Sequence, residues 1–237
     1  MTDLHTHILP GMDDGARDVS ESISLLRMLH AQGVDTVALT PHFYRHKETP
    51  GRFLQRRQTA MAALEDALSK QPEEEQKRLP QLLLGAEVAM APNMTEWEDL
   101  SRLCIGQTKT LLLELPFTPW TGQMMNEIYN LISHGGITPV IAHLERYFKY
   151  QRREMIDEVL RMGVPVQITA DALTRWLDRR RILSMMHRRG DWLIASDCHR
   201  MDFRPPVMGQ AFEILEKRLD AQQVNAMLCL ADELGCR

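Results

Sequence analysis

The sequence predicts a parallel α/β fold, its sheet open or closed into a barrel, on two observations. Four stretches share one grammar, a helical pattern that stops at a Gly with an apolar run a few residues later: "HAQGVDTVALT", "SHGGITPVIA", "RMGVPVQIT" and "RRGDWLIASD". A Gly just past a helix supplies the left-handed position that ends it, and the β-branched run that follows reads as a buried parallel strand. Three further apolar runs, "TDLH", "QLLLGAE" and "TLLLELP", bring the strands to seven, each followed by enough chain for a helix. Strands that alternate with helices in this way pair in parallel.

Taken in order, "TDLH" opens the chain and a helix is expected over 20–32, ended by Gly33 before "VDTVALT". A helix over 52–70 leads into the charged stretch "SKQPEEEQKRLP", which reads as a solvated surface loop. After "QLLLGAE" and "TLLLELP", helices are expected over 121–134, 151–162 and 171–189, each leading to the next strand, and two more between 208 and 233. No linker divides the chain, so residues 1–237 are expected to form one domain. At 44% hydrophobic and 25% charged residues it has the material for a large core.

Composition narrows the function. A net charge of -4 and a pI near 6.1 argue against nucleic acid or an anionic membrane as the main partner. No apolar run approaches the roughly 20 residues that span a bilayer, and no export signal opens the chain, so a cytoplasmic protein without membrane insertion is expected. Cys104, Cys198, Cys229 and Cys236 lack C-x-x-C spacing, as suits a reducing compartment. Fifteen methionines read as adaptable core filling.

Chemistry in parallel α/β folds gathers outside the carboxyl ends of the strands. His5 and His7 end the first strand, where positions i and i+2 share a face, and Asp13 and Asp14 follow in the loop. His42 ends the second strand, Glu87 the third, Glu114 the fourth and His143 the fifth, while Asp197 and His199 end the seventh. The sixth, "VPVQIT", ends without an obvious ligand. Singly, each has a structural explanation, as a hydrogen-bonded core histidine, an Arg-paired carboxylate or a helix cap. Together they do not, because a buried carboxylate costs several kcal/mol unless a cation compensates it. Mixed imidazole and carboxylate donors suit Mn, Fe or Zn, and their number exceeds what one ion uses, so a multinuclear hydrolytic centre is expected. His30, His46, His134 and His187 stand outside the pattern.

With these residues aligned, the sequence resembles the PHP (polymerase and histidinol phosphatase) family. Within it, the likeness is to the bacterial protein-tyrosine phosphatases of the CpsB/YwqE type, which accompany capsule and exopolysaccharide synthesis. The likeness runs through "DLHTHILPGMDDG", "TPHF", "GAEV", "LLLELP", "AHLERY" and "SDCHRMDFRPP", and the opening motif is its most specific part. The resemblance implies a distorted seven-stranded parallel β/α barrel holding three divalent ions, manganese first, with iron or zinc as alternatives. It implies a first ion on His5, His7, Glu87 and Asp197, with Glu87 bridging to a second that adds Glu114 and His143. A third would take Asp14, His42 and His199. It places Arg146 and Arg204 on the phosphoryl group, and the substrate it implies is the phosphotyrosine tail of a bacterial tyrosine autokinase. Phe43, following His42, is a departure from the family pattern and is assigned to substrate contact; a homo-oligomer is left open.

Of the aromatic residues just beyond strand ends, Phe43, Tyr44, Phe117, Trp120, Tyr147 and Phe148, some flank an aromatic ester or all pack the rim; the sequence supports both. "CHRMDFR" formally matches the C-x5-R phosphate loop of cysteine phosphatases, but it lacks glycines, places Asp202 beside the phosphate and runs into two prolines. The rival enzyme readings are a phosphatase of small, histidinol-phosphate-like esters and an amidohydrolase, which would offer Lys where Glu114 stands. The rival non-enzyme reading is a metal-stabilised scaffold that binds the kinase tail without turnover.

Overall fold

A computed structural model describes residues 1–187 and 190–236. Its strands are β1 (Thr2–Thr6), β2 (Thr36–Leu39), β3 (His42–Phe43), β4 (Gln81–Leu84), β5 (Glu87–Ala89), β6 (Thr110–Glu114), β7 (Thr138–Ile141), β8 (Val166–Thr169) and β9 (Trp192–Ala195). Every pairing among them is parallel, in the orders β1-β2-β4 and β3-β5-β6-β7-β8-β9. The α/β class is as expected, but the strands register in two sheets instead of one seven-stranded sheet.

The difference has a local cause. The second expected strand breaks at Thr40-Pro41 into β2 and β3, and the third breaks at Gly85-Ala86 into β4 and β5. Pro41 has no N–H to give a ladder. At the second break the Gly85 carbonyl accepts from the buried Arg57 guanidinium at 2.7 Å, while Arg57 also donates to the Arg102 carbonyl at 2.9 Å. Each broken strand thus starts in one sheet and ends in the other. The end of β1 is bonded on both sides: the Thr40 amide donates to the Thr6 carbonyl at 2.9 Å and the Asp197 amide to the His5 carbonyl at 2.9 Å.

The helices are α1 (Val19–Ala31), α2 (Pro50–Ser69), α3 (Glu73–Gln76), α4 (Gly122–Ser133), α5 (Arg153–Arg161), α6 (Ala170–Thr174), α7 (Trp176–Met186), α8 (Met208–Glu216) and α9 (Ala221–Cys236). Asp18, Thr49 and Thr121 cap α1, α2 and α4 by accepting from the amide three residues on. The helix expected over 171–189 is two, parted at Arg175, whose ψ of 123 is extended, and its last two residues lie outside the described ones. One exposed helical turn, α3, forms inside the charged stretch expected to be loop. Gly33 and Gly163 end their helices at φ of +82 and +70, as the grammar requires. A Cβ on Gly190 would meet the Trp192 ring at 2.9 Å.

The core lies on both faces of the strands. Leu4, Ala38, Leu112, Val140 and Leu193, one each from β1, β2, β6, β7 and β9, form a small cluster that Ala231 and Leu234 of α9 close off. The alternate residues, among them Val37, Leu39, Leu111, Leu113, Ile168 and Ile194, belong to the larger cluster that includes the helices. Full burial stabilises by about 1.5–3 kcal/mol per large aliphatic side chain. No helix among the described residues is long and apolar enough to cross a membrane.

Arg57 is a cation satisfied by carbonyls alone among the described hydrogen bonds, and burial takes its guanidinium down to about 10. Replacing it with Met leaves two carbonyls without a donor. Arg57→Met is expected to cost about 1–3 kcal/mol in urea unfolding, the scale for orphaning buried polar groups. A midpoint unchanged from wild type would show that the strand break does not depend on it.

Candidate metal centre

The nine residues expected as ligands converge. The Nε2 atoms of His5 and His7 lie 3.1 Å apart, each 3.2 Å from Glu87 Oε2, and 3.5 and 3.4 Å from Asp197 Oδ1. The other Glu87 oxygen is 2.8 Å from His143 Nε2, which lies 3.7 Å from Glu114 Oε1. Asp14 Oδ1 lies 3.7 Å from His42 Nε2 and 3.5 Å from His199 Nε2. Three groups of donor atoms fall within 4.8 Å: His7, Asp14, His42 and His199; His5, His7 and Glu87; and His42, Glu87 and Glu114. The grouping differs from the expected one at His42, whose Nδ1 reaches Glu87 Oε2 at 2.8 Å, at His7, which joins the Asp14 group, and at Asp197 and His143, which stand beside the groups but in none of them.

Local backbone devices aim these side chains. Between Asp3 and Thr6, β1 advances three residues while β2 advances two, from Val37 to Leu39, so the ladder is irregular across Leu4 and His5. His143, Asp197 and Arg204 all sit in the left-handed region, at φ of 34, 49 and 56. Such conformations cost non-glycine residues about 1–3 kcal/mol and persist where the surroundings impose them.

Supporting hydrogen bonds fix the rings. His7 Nδ1 lies 2.7 Å from Asp13 Oδ2, and His5 Nδ1 lies 3.1 Å from Gln167 Oε1. A Nδ1–H directed at each acceptor leaves the Nε2 edge turned to the cluster. Asp13 also accepts from the His42 amide at 2.9 Å, and Gln167 from the His143 amide at 2.6 Å. Asp13 therefore supports the ligands, whereas Asp14, largely exposed, stands among them. Gln167 was not anticipated. A lone amide inside the apolar run "VPVQIT", at a position facing into the sheet, was the available signal.

The charges are strongly perturbed. Burial alone would drive the Glu87 carboxyl up, but the His5 and His42 imidazoles hold it well below the usual carboxylate range. Asp197 is likewise held low, against burial, by His5, His7 and Arg146. Burial, with the Glu87 charge added, pushes Glu114 up to about 7. Burial beside His7 takes His199 down to about 2. Burial would lower His7 too, but the Asp13 carboxylate wins and holds it well above its ordinary value.

The donor set fits divalent cations. Atoms about 2.1 Å from one ion stand about 3.0–3.4 Å from each other, the spacing found among His5, His7 and Glu87. Glu87 Oε2 is buried, has no well-aligned hydrogen bond, and faces nitrogen atoms of three imidazoles, His5 and His7 at 3.2 Å and His42 at 2.8 Å. Imidazoles mixed with carboxylates suit manganese, iron and zinc.

Two guanidiniums close the rim. Arg146, from the 3-10 turn Leu144–Lys149, pairs with Asp197 Oδ2, and Arg204 lies 3.2 Å from the same oxygen and 2.8 Å from His199 Nε2. Asp202 pairs instead with Arg17 at 2.6 Å. Phe43 is corrected: it is fully buried, its ring 5.0 Å from Phe53, so it cannot touch substrate. It follows His42 on β3 and so faces the other side of the strand. Trp120 and Tyr147 are core as well, while Phe117, partly exposed, stacks on His143 at 5.8 Å and Tyr44 Oη lies 3.3 Å from His42 Nδ1. Cys198 is fully buried, burial holds its thiol well above the usual range, and no helix follows Arg204 directly, since α8 begins only at Met208, so no cysteine phosphate loop forms.

A family model described as capsular polysaccharide synthesis, CpsB/CapC, matches residues 1–233. The chain belongs to the CpsB/CapC family. It is 28% identical to the tyrosine-protein phosphatase CpsB of Streptococcus agalactiae serotype III (strain NEM316), over 96% of this chain and 94% of that protein. It is 29% identical to the tyrosine-protein phosphatase YwqE of Bacillus subtilis (strain 168), over 94% and 86% of the two chains. A solved structure from work on YwqE of Bacillus subtilis and CpsB of Streptococcus pneumoniae superposes with a TM-score of 0.78 at 26% identity, covering 99% of this chain and 94% of the other. Those two proteins are described as metal-dependent tyrosine phosphatases.

The "DDG" of this CpsB/CapC chain has a steric reason. A Cβ on Gly15 would stand 1.9 Å from the His7 carbonyl oxygen and 2.6 Å from its Cβ. Gly15→Ala is expected to displace His7 and weaken metal binding about 10-fold or more, the scale for losing ligand support, in competition titrations with a chelator. Unchanged affinity would mean that the 13–16 turn yields without moving His7. His7, raised above its ordinary value, must shed a proton before Nε2 can bind a cation. Metal affinity is therefore expected to rise with pH through neutrality, and loading at pH 7 to release protons, read by calorimetry in buffers of differing ionisation enthalpy. No release would show the nitrogen already free.

Proposed function

We propose that this chain is a metal-dependent protein-tyrosine phosphatase that acts on the phosphorylated tail of a bacterial tyrosine autokinase in capsule or exopolysaccharide synthesis. The observation that carries the reading is the pair of guanidiniums on Asp197, at the edge of a cluster of imidazoles and carboxylates. Membership of a capsular polysaccharide synthesis family, and relatives named as tyrosine-protein phosphatases, support the substrate class. The cytoplasm, where an autokinase tail is phosphorylated, is the compartment this reading assigns; the free thiols agree with it. The shared strand breaks and the bonds along both sides of β1 support reading the two sheets as one distorted seven-stranded barrel.

In this reading three divalent ions, manganese first, would be held by His5, His7, Glu87 and Asp197, by Glu114 and His143 together with Glu87, and by Asp14, His42 and His199. When bound, they supply positive charge to the phosphoryl oxygens and make water nucleophilic at neutral pH. Gln167 and Asp13 keep the imidazoles facing the centre. Arg146 and Arg204 fork onto phosphoryl oxygens, where charge-assisted pairs hold the group in line. Phe117, stacked on His143, provides a face for the substrate ring. A phenol leaves with a pKa of about 10, so little protonation is asked of the protein.

The test is a panel of phosphotyrosine peptide, phosphoserine peptide and histidinol phosphate, assayed after reconstitution with Mn, Fe or Zn. Hydrolysis is expected to favour phosphotyrosine, to vanish with chelator and to return with metal, with more than one ion bound per chain. Cys198→Ser should stay within a few-fold of wild type. Preference for histidinol phosphate would move the reading to small esters. No turnover by fully loaded protein would leave a binding scaffold.

A further inference from the structure

Beside the centre runs an open groove of about 530 Å³, in which four cations, Arg146, Lys149, Arg175 and Arg181, face two carboxyl groups, Glu145 and Asp178, with Phe117 at the end next to the centre. Its size is within the range of small-ligand pockets. Phe117 and Arg146 belong to both places: Phe117 stacks on His143 and Arg146 pairs with Asp197, yet both line the groove. A chain leaving an aromatic ester at the centre therefore enters the groove directly.

The cations in it are not equal. Arg175 is held by Asp171 and Asp178, and Arg146 by Asp197. Lys149 and Arg181 have no carboxylate within ion-pair distance among the described residues. Each instead rests on a ring: Lys149 Nζ is 4.9 Å from the Tyr150 centroid and Arg181 Cζ is 4.1 Å from that of Phe148. Cation–π contact fixes where an ammonium or guanidinium stands without neutralising it. Two exposed, positioned and unneutralised cations in one groove are complementary to acidic side chains.

We propose that this groove selects acidic residues flanking the phosphotyrosine, with Lys149 and Arg181 as their partners. The proposal rests on the phosphotyrosine reading of the centre and adds a sequence preference to it. Exposed ion pairs are each worth a few-fold at most, and salt screens them.

The experiment compares two phosphotyrosine peptides that differ only in Glu or Gln at the flanking positions, in wild type, in Lys149→Glu/Arg181→Glu and in the neutral Lys149→Gln/Arg181→Gln. Each kcat/KM is normalised to that for free phosphotyrosine. In wild type the acidic peptide is expected to lead by about tenfold at low salt and about twofold near 0.5 M. The neutral variant should bring the ratio close to one, and charge reversal should invert it. A ratio near one in wild type, or one unaltered in both variants, overturns the proposal. Binding of the same pair carrying a non-hydrolysable phosphonate, followed by fluorescence anisotropy, needs no turnover. An acidic preference there that Lys149→Glu/Arg181→Glu abolishes upholds the groove even if neither peptide is hydrolysed, whereas failed hydrolysis alone counts only against the phosphatase reading.

Discussion

Everything at the carboxyl end of the strands depends on two buried carboxylates, Glu87 and Asp197, which are almost inaccessible to water yet held ionised. A buried ion costs several kcal/mol unless positive charge and hydrogen bonds surround it. Around Glu87 stand His5, His7, His42 and His143, and around Asp197 stand His5, His7, Arg146 and Arg204. Protons, guanidiniums and divalent cations compete for these oxygens and nitrogens. A centre built so is a cation site first, and its anion-binding capacity follows from whatever positive charge it then carries in excess.

Convergence of that many donors strains the scaffold. A regular parallel strand delivers one inward side chain per turn of the pleat, and that is too few. The chain answers with an irregular register between Asp3 and Thr6, breaks at Thr40-Pro41 and Gly85-Ala86, and left-handed turns at His143, Asp197 and Arg204. Each costs ladder bonds or torsional energy. The small cluster around Leu112 and Val140, sealed by α9, and the larger helix-facing core supply the apolar burial against which those costs stand.

Much of this was legible in the sequence, for identifiable reasons. Strand ends could be found because a stop at Gly followed by a β-branched run is a local signal, and ligand types at those ends are conspicuous one by one. The two-residue period sets His5 and His7 side by side, and their Nε2 atoms stand 3.1 Å apart. Phe43 was misplaced for want of the same period: His42 faces the centre, so its neighbour must face the core. Gln167 and Arg57 stayed hidden because their roles are hydrogen bonds to groups far along the chain, the His5 ring and the Gly85 carbonyl, which no local pattern encodes.

The two guanidiniums join the two halves of the chemistry. Arg146 and Arg204 share one oxygen of Asp197, an arrangement in which each is only partly satisfied. A guanidinium has five donors in a fixed fork, and a single carboxylate oxygen uses few of them. In the phosphatase reading proposed above, a phosphoryl group would offer three oxygens instead of one, so that exchanging Asp197 for substrate would let each fork pair fully and free Asp197 toward the cluster. Substrate binding and the completion of the centre would then be one exchange of partners around a single carboxylate, for which arginines that are partly exposed at the rim are suited.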